Sequence, residues 1–386
     1  MSRPTRRGLL AGGTALLAAP GLARAQAEPL KIGLILPMTG PFASTGRQID
    51  AATRAWLRTN GEVQAGRRLE ILLRDDGGVQ PDTTRRLAQE LVVRDKVKVL
   101  AGFGLTPLAL ATAPIATEAK LPMVVMAAAT AIIPQRSPYI LRTSFTLPQV
   151  TAPIAEWAAR NGIRSAATLV TDFAPGHDAE GVFKARFAAA GGRMALELRS
   201  PLRNPDYAPF LQRVKDAKPD ALFIFCPSGE GAAIMKQFQE RGLKEAGIKL
   251  IGTGDVMDDD ILNSFGPDAL GTITSHHYSA AHDSPENAAF TAAFRAVAPN
   301  MRPNFMAVGG WDGMTLIAES LKAANDTDGD KLLAAMKGRS WLSPRGPVTI
   351  AAETRDITQD VYIRRVESRE GQLWNLEFDR IAQVAA

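Results

Sequence analysis

A single cysteine in 386 residues, Cys226, excludes an internal disulfide framework, and four histidines leave little material for a metal centre. Aromatic residues make up 6% of the chain, and no block of lysine and arginine interleaved with aromatics occurs, so the usual footprint of a nucleic-acid binder is missing. No apolar run has the ~20 unbroken residues a membrane span needs. Residues 99–117 are nearly long enough and uncharged, but Gly102, Gly104, Pro107 and Pro114 interrupt them, which reads as strand, turn and helix start. Neither G-x-G-x-x-G nor the P-loop Lys-Ser/Thr follows the first apolar run, where residues 37–46 read PMTGPFASTG. Gly252-Thr253-Gly254 has Met257 in place of a third glycine. A nucleophile elbow G-x-S-x-G is also lacking, because Cys226 stands where the first glycine before Ser228 belongs.

The amino terminus carries an export signature. Arg3, Arg6 and Arg7 precede an uncharged stretch from Gly8 to Ala23, and small residues follow at Ala23, Ala25 and Ala27. The Arg6-Arg7 pair resembles a twin-arginine signal, which predicts a cleaved leader over residues 1–27 and a periplasmic destination. The whole chain has a net charge of +5, but the leader holds four arginines and no acid. The remaining 359 residues are therefore close to +1, and the basic excess says nothing about a partner.

With 46% hydrophobic and 22% charged residues, this chain can bury two cores. Short apolar runs such as KIGLIL (31–36) alternate with helix-period segments from residue 31 to about 252, predicting an α/β protein with parallel-rich sheets in two Rossmann-like lobes. Later extended runs at 348–351 and 360–367 are placed to complete one sheet each. No proline- or serine-rich linker separates the halves, which argues for lobes joined by chain crossovers with a hinge-limited cleft.

Several side chains are candidates for chemistry. His276 and His277 are adjacent in an extended run and point to opposite faces, which reads as a polar loop rim near the hinge rather than a chelate. Asp258-Asp259-Asp260 lacks calcium-loop spacing and is placed to cap a helix from Ile261. Cys226, ending an apolar strand, reads as a packing residue. What remains are strand-end loops rich in hydroxyl and amide donors, the place where open parallel sheets bind ligands. Such loops suit holding a small anion-bearing molecule without transforming it.

The ordered segments 31–57, 101–130, YILRT (139–143), DFAPGHDA (172–179) and GGWDGMTLI (309–317) resemble the Leu/Ile/Val-binding-protein family of ABC-transporter substrate-binding proteins, with the type I periplasmic binding fold. The resemblance spans essentially the whole chain after the leader. It implies two lobes joined by three hinge crossovers: residues 28–147 with 277–355, and 148–276 with 356–386. It places the ligand-carboxylate hydroxyl on Thr106, also a candidate N-cap, and a backbone amide and second hydroxyl on Ala128 and Thr130. A second-lobe aromatic falls in the Phe173–Pro175 loop, where Pro175 replaces the expected tyrosine, and a further aromatic position falls on Ser228. The family's acid for an ammonium group aligns with Gly254, one residue before Asp255. Phe42, Ala129 and Tyr278 complete the candidate set. These departures favour an aromatic or aliphatic acid lacking an α-amino group, unless Asp255 turns inward. The resemblance implies a monomeric periplasmic receptor with no cofactor, delivering an amino acid or small carboxylate to an inner-membrane ABC permease. A ligand sensor, or a hydrolase using Ser228 or Cys226, are the alternatives.

Overall fold

Runs without a charged residue can be covered on both faces, and in the computed structural model, which describes residues 27–386 apart from position 79, such runs form the central strands. The first series is β1 (Ala27–Leu36), α1 (Ala43–Asn60), β2 (Val63–Gln64), β3 (Arg67–Asp75), α2 (Pro81–Val93), β4 (Val99–Gly102), α3 (Thr106–Ala119), β5 (Met123–Val125) and β6 (Ile140–Arg142). The second is α4 (Leu147–Arg160), β7 (Ser165–Thr171), α5 (Ala174–Ala189), β8 (Arg193–Ser200), α6 (Ala208–Ala217), β9 (Ala221–Phe225), α7 (Gly231–Glu240), β10 (Lys249–Thr253) and β11 (Ile273–His276). Helices α8 (Pro285–Val297), α9 (Phe305–Ala324) and α10 (Gly329–Met336) follow, then β12 (Ser340–Ser343), β13 (Gly346–Ile350), β14 (Ile357–Arg369) and β15 (Gln372–Val384). The expected leader lies almost entirely outside the described residues. Among those residues, no helix is long and apolar enough to cross a membrane.

The strands form two sheets, β2-β3-β1-β4-β5-β6 and β12-β13-β14-β11-β10-β9-β7-β8, with β15 paired to β14. In the first sheet β1, β3, β4, β5 and β6 run parallel. In the second, β7 to β11 are parallel and β12 to β15 antiparallel. Helices α8 and α9 pack on α1, so the chain crosses between lobes three times: after β6, after β11 and after α10. The expectation that residues 348–351 complete the first sheet fails. β13 pairs with β14, in register Val348–Gln359, as part of the second sheet. Its hairpin is nevertheless tied by side chains to α9 of the first lobe, since Trp341 and Ser343 both donate to Asp312.

Each crossover is pinned by a fully buried arginine. Arg142 pairs with Asp356 at 2.8 Å, and Arg345 with Asp312 at 2.7 Å. Arg364 donates to the Tyr278 carbonyl at 2.5 Å and faces Asp259 at 3.7 Å. A buried charge survives only when paired and hydrogen-bonded, so these contacts fix the hinge geometry. Just past the first crossover, Thr146 and Gln149 form a reciprocal capping box that starts α4. The Gln149 amide also donates to the Ile357 carbonyl at 2.7 Å, joining the start of α4 to the start of β14.

Candidate functional site

The carboxyl ends of the central strands meet at a narrow cleft between the lobes with about 40 Å³ of accessible space. On the first-lobe side, Gly102 and Phe103 both adopt left-handed backbone conformations after β4. A side chain at Gly102 would collide with the Ile35 carbonyl, so glycine is required for this turn. The turn delivers Gly104, Leu105 and Thr106 to the start of α3. Leu105 rather than Thr106 is the N-cap, and no side chain caps this helix. The Thr106 hydroxyl is instead 2.7 Å from that of Thr130, both residues being buried.

The loop after β5 is held from beneath by Arg142. Its guanidinium donates to the carbonyls of Ala128 (3.1 Å), Thr130 (2.9 Å) and Phe145 (3.1 Å). The Ala128 N–H, expected to face a ligand, donates to the Phe103 carbonyl at 3.1 Å. Among the described residues, the N–H groups of Gly104, Leu105, Ala129 and Thr130 donate to no protein acceptor. The free strand-end amide is thus one residue further on than expected. Together with the Thr106 hydroxyl and the amino end of α3, these groups form a neutral donor cluster suited to an anion.

The opposite wall comes from the second lobe. Phe173 stacks on Phe225 with ring centres 6.0 Å apart, and Pro175 lies in the first turn of α5. A side chain at Gly176 would overlap the Thr171 carbonyl, so glycine lets α5 start hard against the end of β7. Ser228 lines the cleft and donates its proton to Asp258. Asp258 also receives both carboxylate contacts of the Asn304 amide, at 2.9 and 3.0 Å. Burial pushes its pKa up to about 6. Asp258 therefore does not cap a following helix; the 3-10 segment Leu262–Ala269 has no side-chain cap.

Asp255 lines the cleft and, among the described residues, is its only charged lining residue. Gly254 turns the other way, and a Cβ there would run into the Arg364 guanidinium and the His276 ring. The position aligned with the family's ammonium-binding acid has no room for a side chain. Phe42 and Ala129 line the cleft with Thr106, Ala128, Phe173, Pro175 and Ser228, whereas Thr130 stands behind Thr106. Tyr278 is fully buried away from it, donating to Asn287 Oδ1 at 2.9 Å. His276 and His277 are not a polar rim. Both are fully buried, packed around Phe145 with ring centres 4.7 and 4.9 Å away. Cys226 is buried and its thiol is pushed well above the usual range by desolvation, as befits a packing residue.

Thr45, Phe145, Phe225 and Met306 also line the cleft and were not singled out from sequence, and neither was Arg142 beneath it. Arg142 had a signal, a lone charge within the apolar β6. Asp178, near the start of α5, accepts from the Ala131 N–H at 3.0 Å and links the lobes at the cleft edge.

A two-lobed α/β chain with three crossovers and a cleft at the strand ends between the lobes defines a solute-binding protein of the type I periplasmic class. Residues 29–372 match the periplasmic binding protein family, and the chain belongs to it. It is 41% identical over 357 residues, 92% of each chain, to Leu/Ile/Val-binding protein homolog 6 of Brucella abortus. Among solved structures it resembles an ABC-transporter solute-binding protein of Rhodopseudomonas palustris BisB5 in complex with 3,4-dihydroxybenzoic acid. The identity is 57% and the TM-score 0.90, covering 92% of this chain and 98% of that one. A second solute-binding protein, from Rhodopseudomonas palustris HaA2 in complex with p-hydroxybenzoic acid, is 41% identical with the same TM-score and coverage. The family and fold are those of non-enzymatic solute-binding proteins of the periplasm.

Proposed function

We propose that the protein is the periplasmic receptor of an ABC importer for an aromatic carboxylate of the benzoate class, and that it has no catalytic activity. The observation that carries this reading is the cleft itself: a cluster of neutral donors around Thr106 on one lobe, and the rings of Phe42, Phe145, Phe173 and Phe225 along the space between the lobes. Benzoate-type acids have that anatomy, a flat apolar body with an anion at one end. The blocked position at Gly254 argues against an α-amino acid, and the ligands of the two R. palustris relatives agree with the reading. Thr106, Ala128, Ala129, Phe42, Phe173, Pro175, Ser228 and Asp255 are the contact residues proposed, with Thr130 and Gly254 shaping the walls from behind and Tyr278 outside the site.

Ligand contacts to both walls drive closure of the first lobe onto the second, and the closed monomer docks on an inner-membrane permease. Export through the twin-arginine route completes the proposal. The test is a thermal-shift panel of benzoates, aliphatic acids and amino acids on the purified chain. A receptor gains about 2.7 kcal/mol of stability at one hundred times Kd. Stabilisation by aromatic acids is expected, and stabilisation by amino acids alone would overturn the reading.

A further inference from the structure

The two walls of the cleft differ in hydrogen-bonding sense. The first-lobe wall offers donors, while the polar side chains of the second-lobe wall are Ser228 and Asp255. Ser228 has its proton committed to Asp258. A carboxylate at Asp255 accepts only, and its orientation is set from behind. Asp255 Oδ2 accepts from the Thr253 hydroxyl at 2.9 Å and stands 3.6 Å from His276 Nε2.

The tautomer of His276 follows from its neighbours. The His277 backbone N–H donates to His276 Nδ1 at 3.0 Å, so this nitrogen is an acceptor. The 2.8 Å contact between the two Nδ1 atoms then places its hydrogen on His277. Burial holds the His276 pKa down to about 4, so the ring is neutral near pH 7, and its single proton lies on Nε2, facing Asp255. Among the described residues, Nε2 makes no hydrogen bond, so this proton is left directed at Asp255. Asp255 is therefore held with one oxygen turned to the protein by the Thr253 hydroxyl, with the His276 Nε2–H facing that oxygen at the longer distance of 3.6 Å, leaving the other for the cleft. Its charge also repels a ligand carboxylate, which orients an acid toward Thr106.

Resting on the benzoate-class reading above, we propose that Asp255 is the specificity-determining residue for a hydroxyl on the ring end remote from the carboxylate, and that His276 is the positioning residue that keeps Asp255 turned to receive it. The protein then prefers 4-hydroxybenzoate to benzoate and discriminates against 4-methoxybenzoate, which has the same oxygen but no proton to give.

Calorimetric titration of the wild type with these three ligands is the test. A hydrogen bond to a charged acceptor predicts that 4-hydroxybenzoate binds about tenfold or more tighter than benzoate, with 4-methoxybenzoate weaker than both. Asp255→Ala should bring the hydroxybenzoate-to-benzoate ratio close to one while benzoate binding persists. His276→Gln, whose amide can donate from the Nε2 position, should keep the ratio, and His276→Leu should lower it. Wild-type affinities for benzoate and 4-hydroxybenzoate within twofold of each other would overturn the inference and leave the benzoate-class reading standing. Failure of all three ligands to bind would overturn both. The wild-type comparison decides the matter even if a histidine variant does not fold.

Discussion

Replacing Thr106 with valine removes one oxygen, keeps the volume, and strikes the donor cluster at its centre. The Thr106 and Thr130 hydroxyls are 2.7 Å apart and each has one proton. If Thr130 gives its proton to Thr106, the Thr106 proton is free for a ligand oxygen. A hydrogen bond to a charged partner contributes about 1.5–3 kcal/mol. Thr106→Val should therefore raise Kd for an aromatic carboxylate by about 10- to 150-fold. The unliganded protein should lose only about 1 kcal/mol, the value of one neutral hydrogen bond. Thr130→Val removes support for the donor but not the donor, so its effect should be several-fold. Because Thr130 acts through Thr106, the double variant should bind no worse than Thr106→Val alone. Isothermal titration of all four proteins gives the cycle. A Thr106→Val protein that binds within twofold of the wild type would refute the placement of the carboxylate, and additive effects would refute the relay.

Arg142→Met should leave Asp356 buried without its counter-charge and free three carbonyls, costing about 3–5 kcal/mol in urea unfolding; a loss under 1 kcal/mol would contradict its role as the brace of the cleft loop. Gly254→Asp should destabilise the protein and confer no leucine binding, because Arg364 and His276 fill the space; a stable, leucine-binding variant would contradict the packing. Asp258 titrates near 6 when folded against a usual 3.8, so the native state holds the extra proton between those values. Its contribution is full below pH 4 and is lost as pH rises through 6, by about 3 kcal/mol. Unfolding free energies at pH 4.5 and 7.5 should show Asp258→Asn gaining relative to wild type at the higher pH, and parallel profiles for the two proteins would remove Asp258 as their cause.

Most of the architecture is legible because the strands that build it are continuous apolar runs between amphipathic helices. KIGLIL, the strand that opens residues 99–117 and the apolar strand that runs up to Cys226 each appear where sequence places them. The carboxyl-terminal strands are less so. β15 is half exposed and mixes charge with apolar residues, so its pairing with β14 depends on the left-handed Glu370-Gly371 turn between them rather than on hydrophobicity. At the site, Thr106 and the second-lobe Phe173–Pro175 loop could be read from motif order. Which backbone amide stays free could not, since that depends on Phe103 accepting from Ala128. The inward turn of Asp255 was equally hidden, because it requires Gly254 to lie against an arginine 110 residues away in sequence. The histidine pair reads as polar in sequence but is buried, since each ring packs on Phe145 and the two satisfy one another through Nδ1.

The central claim, an aromatic carboxylate held between a neutral donor cluster and a ring-lined wall, is tested most directly by titrating the purified chain with 4-hydroxybenzoate and, separately, with L-leucine in a calorimeter. The account predicts saturable one-to-one binding of 4-hydroxybenzoate and no heat of binding from leucine. Saturable binding of leucine with none of 4-hydroxybenzoate would contradict it.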